Sequence, residues 1–270
     1  MKLTILGSGT SHGIPVVSCG CRVCRSEDPR DTRMRASLYV EGTAGEQIVI
    51  DTGPEFRLQA LRAGITRLDA VFLTHAHADH VHGLDDLRPF CYKVPIPVYG
   101  NQYTLEELRK RFSYVFKHTQ KGGGKPRIIP LVARKPIPIG ALTLTPVPIK
   151  HGILNILGWE IREHAGDRVK GTVLYLTDTS RIPDTCFTLI HHPDILIIGG
   201  LRVMPHKTHF TFDEALSVAL TINVPQVFLT HICHEHTHQE IETYCRHFQH
   251  ARGLNNISMQ PAYDGLELEL

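Results

Sequence analysis

The sequence predicts an α/β protein, because short β-branched runs alternate with helical stretches along its 270 residues and His or Asp recurs where those runs end. Lys2–Leu6 and Gln47–Ile50 read as strands closed by Gly or Asp turns. Glu55–Ala63 reads as a helix stopped by Gly64, and Ala70–Thr74 as a buried strand. Thr104 and Glu107 have capping-box spacing, which predicts a helix from Thr104 to about Phe116. Lys117–Pro126 (KHTQKGGGKP) reads as a flexible loop. Strands recur at Leu142–Pro146, Thr172–Thr177, Ile195–Ile198 and Val227–Thr230. Helices are expected over Phe212–Thr221 and His238–Arg252, the second stopped by Gly253. With no repeat and no low-complexity tail, residues 1–270 read as one domain whose two halves meet near residue 145.

Composition narrows the classes. Lys plus Arg total 29 against 27 Asp plus Glu, for a net charge of +2, with 42% hydrophobic and 21% charged residues, the balance of a folded globular chain. No apolar run approaches the roughly 20 residues of a membrane-spanning helix. The opening shows no secretory segment, so the expected compartment is the cytoplasm. Near-neutral charge argues against a surface that coats nucleic acid.

Eighteen His and seven Cys stand out. Cys19, Cys21 and Cys24 form a C-x-C-x-x-C cluster, and an odd cysteine total suits reduced thiols better than a disulfide framework. Three thiolates this close converge readily on one Zn2+, which prefers four tetrahedral S or N ligands. A redox pair of Cys21 and Cys24 is the competing reading. The fourth ligand is open among His231, Cys233, His234, His236 and His238 of THICHEHTH.

The decisive motif is Thr74-His75-Ala-His77-Ala-Asp79-His80, at the exit of a predicted strand. Four donors so close cannot all point one way. His75 and His77 can serve one metal, while Asp79 and His80, turning into a helix, can serve a second. His151 follows the run LTPVPI, Asp178 follows Val173–Thr177 and His231 follows Val227–Thr230, each where a buried strand opens into a loop. Asp178 can bridge two cations. Asp51, after Ile48–Ile50, is placed to orient a ligand histidine.

Together IDTG at Asp51, THAHADH at His75–His80, His151, LTDT at Asp178 and TH at His231 resemble the metallo-β-lactamase superfamily over almost the whole chain. The resemblance implies an αβ/βα sandwich of two packed mixed sheets flanked by helices. It implies that His75, His77 and His151 bind one metal, that Asp79, His80 and His231 bind the other, and that Asp178 bridges. Gly7-Ser8-Gly9-Thr10 and CGCRVC at Cys19–Cys24 are similar to the PhnP-like phosphoribosyl cyclic phosphate phosphodiesterases. That likeness implies a structural zinc on Cys19, Cys21, Cys24 and His234. It also implies a catalytic His209, with His206 its neighbouring competitor, a closing strand in Ala262–Leu270 and an outer-sphere role for Asp264.

The chemistry so implied is hydrolysis of a small cyclic phosphodiester, phosphoribosyl 1,2-cyclic phosphate or a relative, by hydroxide held between two divalent metals, Mn2+ or Zn2+. Asp79 and His209 are the catalytic candidates, His209 contacting phosphate and protonating the departing alkoxide. A tRNA 3′-processing nuclease, a thioesterase, a pyrroloquinoline quinone biosynthesis protein and a non-catalytic metal sensor are the alternatives. The nuclease would carry a longer RNA-binding arm and a more basic surface. No membrane partner is expected, a small anionic diester is preferred over nucleic acid, and a homodimer is implied by the resemblance alone. GSGTSHG lacks G-K-[ST] and reads as a tight turn beside the site. Arg33 and Arg35 are candidates to pair with a second phosphate.

Overall fold

In a computed structural model that describes residues 1–117 and 124–270, two seven-stranded sheets pack face to face. The first contains β1 (Lys2–Gly7), β2 (Ser37–Glu41), β3 (Gln47–Ile50), β4 (Ala70–Phe72), β5 (Ile96–Gly100), β6 (Ile128–Val132) and β14 (Glu267–Glu269), in the order β14-β1-β2-β3-β4-β5-β6. The second contains β7 (Ile137–Ile139), β8 (Leu142–His151), β9 (Leu154–Ala165), β10 (Arg168–Leu176), β11 (Ile195–Gly199), β12 (Gln226–Thr230) and β13 (Ser258–Pro261), in the order β13-β12-β11-β10-β9-β8-β7. Helices α1 (Phe56–Arg62), α2 (Ala78–Val81), α3 (Gln102–Arg111) and α4 (Ser113–Phe116) belong to the first half. Helices α5 (Phe212–Ile222) and α6 (His238–Ala251) belong to the second.

The central strands are apolar without interruption because both of their faces are buried. In β11, Ile195 and Ile197 face the other sheet, while Leu196 and Ile198 face the helices. The same alternation puts Ile48 and Ile50 between the sheets and turns Val49 outward. Phe56, Ala60, Leu105 and Leu108 of α1 and α3 cover the outside of the first sheet. Phe212, Leu216, Ile241 and Cys245 of α5 and α6 cover the second. The layers are therefore helix, sheet, sheet, helix: the αβ/βα sandwich.

Local differences from the sequence reading have physical causes. Asn101, not Thr104, caps α3: its Oδ1 accepts from the Thr104 amide at 2.7 Å. The helix then breaks at Phe112, whose φ of −106° and ψ of 41° are not helical. The chain changes sheet between Val132 and Ile137, ahead of residue 145, and β8 continues to His151. The twelve-residue strand β9 was not expected, since Glu160, Arg162 and Glu163 interrupt its apolar pattern. Glu160 is buried but accepts from the His191 amide at 2.6 Å, and Glu163 pairs with the Met1 ammonium at 2.9 Å. The expected flexible loop Lys117–Pro126 includes 118–123, which lie outside the described residues.

Strands β3, β4 and β5 run parallel to one another, as do β10, β11, β12 and β13. Their carboxyl ends open along one edge of the sandwich, where loops carry the polar clusters. Gly7, at the end of β1, lets the chain entering β2 approach closely: a Cβ on Gly7 would lie 2.0 Å from the Arg35 carbonyl oxygen.

Candidate metal centres

Each candidate ligand is set by the end of a strand. His75 and His77 occupy the loop after β4, and Asp79 and His80 fall in the single turn of α2. His151 is the last residue of β8. Asp51, Asp178 and His231 follow β3, β10 and β12 and take φ of 64°, 55° and 57°. This left-handed backbone is tolerated better by Asp and His than by the branched residues of the strands, and it turns the side chain sharply out of the sheet. His75, His77 and His151 bring donor atoms within 4.8 Å of one another, and so do Asp79, His80, Asp178 and His231.

Outer hydrogen bonds aim the imidazoles. Asp51 accepts from the Thr74 amide at 2.8 Å, the Thr74 hydroxyl at 2.7 Å and His80 Nδ1 at 2.7 Å, so its expected orienting contact is made with His80. His151 Nδ1 lies 2.8 Å from the Thr208 carbonyl oxygen. The Nε2 atoms of His75, His80 and His231 are buried with no hydrogen-bond partner among the described residues. Asp178 stands between the two groups: Oδ1 is 3.2 Å from His80 Nε2 and 3.2 Å from His231 Nε2, and Oδ2 is 3.9 Å from His75 Nε2. Asp79 Oδ2 is 3.1 Å from His80 Nε2 and 3.6 Å from His231 Nε2. Donors about 2.0–2.2 Å from one cation sit roughly 3–3.5 Å apart, so these residues fit such a group.

The charges point the same way. Burial works to strip His80 of its proton, yet Asp178, Asp79 and Asp51 raise its pKa well above the ordinary value. Asp178 is buried too, but His231 and His80 hold its carboxyl well below the ordinary value. Carboxylates gathered in a buried space demand positive charge.

His209 precedes α5, and its Nδ1 lies 3.9 Å from Asp178 Oδ2. Its ring stacks on His231 at 4.8 Å and meets His151 edge-on at 4.7 Å. Burial, helped by His231, pushes its pKa down to about 3. His206 is exposed, with its ring 5.2 Å from that of His209, so His209 is the one inside the cluster. His209, His151 and Asp178 also form a compact donor group, a liganding option that the sequence reading did not raise.

The thiol cluster lies apart from these groups. Cys19, Cys21 and Cys24 place their Sγ atoms 3.4, 3.5 and 3.5 Å from His234 Nδ1. A tetrahedral Zn2+ with S and N ligands at about 2.3 and 2.0–2.1 Å has an S–N edge of about 3.5 Å, so the four donors fit that ion. Of the alternatives left open in THICHEHTH, His234 is the residue brought to the cysteines.

Some expectations need correction. Arg33 is not free for a phosphate: it is buried, donating from Nη1 to the Cys233 carbonyl at 2.7 Å and from Nη2 to the His236 carbonyl at 3.1 Å and Asp31 at 3.0 Å. Arg35 is paired with Glu55 and donates to the Ser11 carbonyl at 3.0 Å. Asp264 does not contact a candidate ligand among the described residues. It accepts from the Ser8 amide and hydroxyl at 2.9 and 2.8 Å and from the Met34 amide at 2.7 Å, tying loops together. Sequence reasoning also missed Arg111, which donates to the carbonyl of Ala76, between His75 and His77. No motif marks it, because it approaches from α3, far along the chain.

Comparison with known proteins places this geometry in context. A family model described as the β-lactamase superfamily domain matches residues 46–232. A Porphyromonas gingivalis protein named octanoyltransferase is 40% identical over 271 residues, 99% of this chain and 51% of that protein. The chain therefore spans about half the length of that relative. A crystal structure of a diphosphatase from the PhnP family is 37% identical, with a TM-score of 0.84 over 100% of this chain and 97% of that one. Zn(2+)-bound PqqB from Methylobacterium extorquens has a TM-score of 0.80 at 18% identity over 100% of both chains, a likeness of fold.

Proposed function

The chain belongs to the metallo-β-lactamase superfamily, and from that premise we propose that it is a metal-dependent hydrolase of small phosphodiesters, with phosphoribosyl 1,2-cyclic phosphate or a related cyclic diester as substrate. The observation that carries the reading is Asp178, set between His75 on one side and His80 and His231 on the other. Divalent cations at such a paired site would supply Lewis acidity toward a phosphoryl oxygen and an activated water. His75, His77 and His151 would hold one cation, Asp79, His80 and His231 the other, with Asp178 shared. Asp51 and the Thr208 carbonyl keep His80 and His151 presenting Nε2. His209, neutral in the free protein, would regain a proton beside the anionic phosphate, whose charge offsets the burial and His231 effects, and deliver it to the departing alkoxide. Cys19, Cys21, Cys24 and His234 would hold a structural zinc that anchors the loop after His231. Cys91, Cys186, Cys233 and Cys245, unpaired thiols outside the zinc cluster, support a reducing compartment, the cytoplasm. Among the described residues no helix is long and apolar enough to cross a membrane.

A diphosphate substrate is the second reading, favoured by the PhnP-family diphosphatase. Metal analysis of purified protein should find one tightly held zinc and two exchangeable metals per chain. Turnover of bis(p-nitrophenyl) phosphate and a ribose cyclic phosphate, compared with a diphosphate diester, separates the two substrate classes. No turnover of any of them with Mn2+ or Zn2+ would overturn the hydrolase reading.

A further inference from the structure

Beside His75 and His77 lies a cleft of about 60 Å3 to which Tyr103 and Arg111 of α3 and Leu154, Asn155 and Ile156 of β9 contribute. Its walls are fixed relative to each other. The Asn101 side chain caps α3 through Oδ1 and donates from Nδ2 to the Asn155 carbonyl at 2.9 Å, joining the helix start to the strand. Tyr103, Glu107 and Arg111 follow at four-residue intervals and share one face of α3. Arg111 is held at the far end by its bond to the Ala76 carbonyl. Tyr103 is left 53% exposed, and its hydroxyl has no partner among the described residues.

An aromatic ring and a leucine beside a guanidinium suit a ligand with an apolar face and hydroxylated edges. Size restricts it further. At about 10–15 Å3 for each water-sized group, the cleft admits on the order of four such groups, enough for most of a five-membered sugar ring and too few for a nucleobase with its sugar. We infer that this cleft is the subsite for the sugar ring of a sugar-phosphate ester whose phosphate lies at the paired donor groups, and that Tyr103 determines the preference for that ring by stacking on its apolar face. The inference rests on the phosphodiesterase reading and adds to it where the non-reacting end of the substrate lies.

Isothermal titration calorimetry with ribose 5-phosphate and inorganic phosphate tests it on wild type, Tyr103→Ala and Tyr103→Phe. Tyr103→Ala should weaken ribose 5-phosphate about tenfold relative to inorganic phosphate, and Tyr103→Phe should stay within about twofold of wild type. An equal loss for both ligands, no loss in Tyr103→Ala, or a full loss in Tyr103→Phe would overturn the stacking subsite. Hydrolysis of methyl p-nitrophenyl phosphate by wild type checks the parent reading separately. Its absence, together with no turnover of the ribose cyclic phosphate, removes that reading and the subsite with it, whereas turnover without ribose discrimination removes the subsite alone.

Discussion

Replacing Asp51 by Asn isolates what its carboxylate does for His80. The side chain keeps its shape, but its second oxygen becomes an NH2 group. In the native arrangement one oxygen accepts from the Thr74 amide at 2.8 Å, and the other accepts from the Thr74 hydroxyl and from His80 Nδ1, both at 2.7 Å. Either orientation of the new amide sets a donor against a donor. Facing the Thr74 amide, it leaves a buried N–H unpaired at a cost of about 1–3 kcal/mol. Facing His80, it drives the imidazole proton to Nε2, the nitrogen 3.1 Å from Asp79 and 3.2 Å from Asp178, where it blocks coordination. The fold should survive this, while affinity for one exchangeable metal falls about 10–100-fold, or roughly 1.4–2.8 kcal/mol. Equilibrium dialysis over graded free Zn2+ or Mn2+, read by elemental analysis, measures the change. A variant that keeps both exchangeable metals at wild-type affinity would refute the orienting role.

Further expectations concern the other clusters. His209→Ala should lower kcat by about 10²–10⁴-fold with two exchangeable metals retained; metal lost on dialysis would show that His209 acts as a ligand instead. Cys21→Ser should release the tightly held zinc and lower the thermal midpoint, since a structural site contributes directly to folding; an unchanged zinc content would contradict the Cys3His assignment. Burial, with Arg30 and Arg33 adding to it, pushes His238 from its ordinary 6.5 down to about 4. The unfolded chain therefore binds a proton that the fold excludes, so this stability is present above about pH 6.5 and is lost as pH falls toward 4. After discounting for partial solvent screening, the loss is about 1–2 kcal/mol, and His238→Phe should remove that part of the slope in denaturant midpoints between about pH 7 and pH 5. Parallel slopes in the two proteins would contradict it.

What the sequence revealed follows from the range of each interaction. Strands buried on both faces, such as Ile195–Gly199, announce themselves because every residue is apolar. The starts of α5 and α6 are legible as onsets of helical pattern, and the structure shows what fixes them locally, capping boxes of Thr211 with Glu214 and Thr237 with Glu240. Strand β9 was hidden because the partners that make its charges tolerable, His191 and the Met1 ammonium, lie far away in the chain. Arg33 misled for the same reason. A basic residue near the expected site invites a ligand, but its carbonyl partners lie two hundred residues further on. Short-range patterns named the donor residues, whereas long-range contacts decide which of them are already engaged.

The donor groups also show why the site was easier to read than its supports. His75, His77, Asp79 and His80 come from the first sheet, and His151, Asp178 and His231 from the second, so the His75-His77-His151 group and the Asp79-His80-Asp178-His231 group each draw on both. Residues at the ends of separate strands can meet only if the sandwich closes in one register, and the strand ends carry left-handed backbone at Asp51, Asp178 and His231. Such conformations cost on the order of 1 kcal/mol or more and persist where surrounding contacts over-determine them. Here those contacts are the ladders of β3, β10 and β12 on one side and Thr74, Ser37 and Thr177 hydrogen bonds on the other. Buried carboxylates and imidazoles held this tightly carry a desolvation cost that a cation offsets, so cation binding and closure of the two sheets are expected to reinforce each other. The pattern readable in sequence, a donor at or just after the end of β4, β8, β10 and β12, is therefore the local trace of a constraint that acts across the whole sandwich.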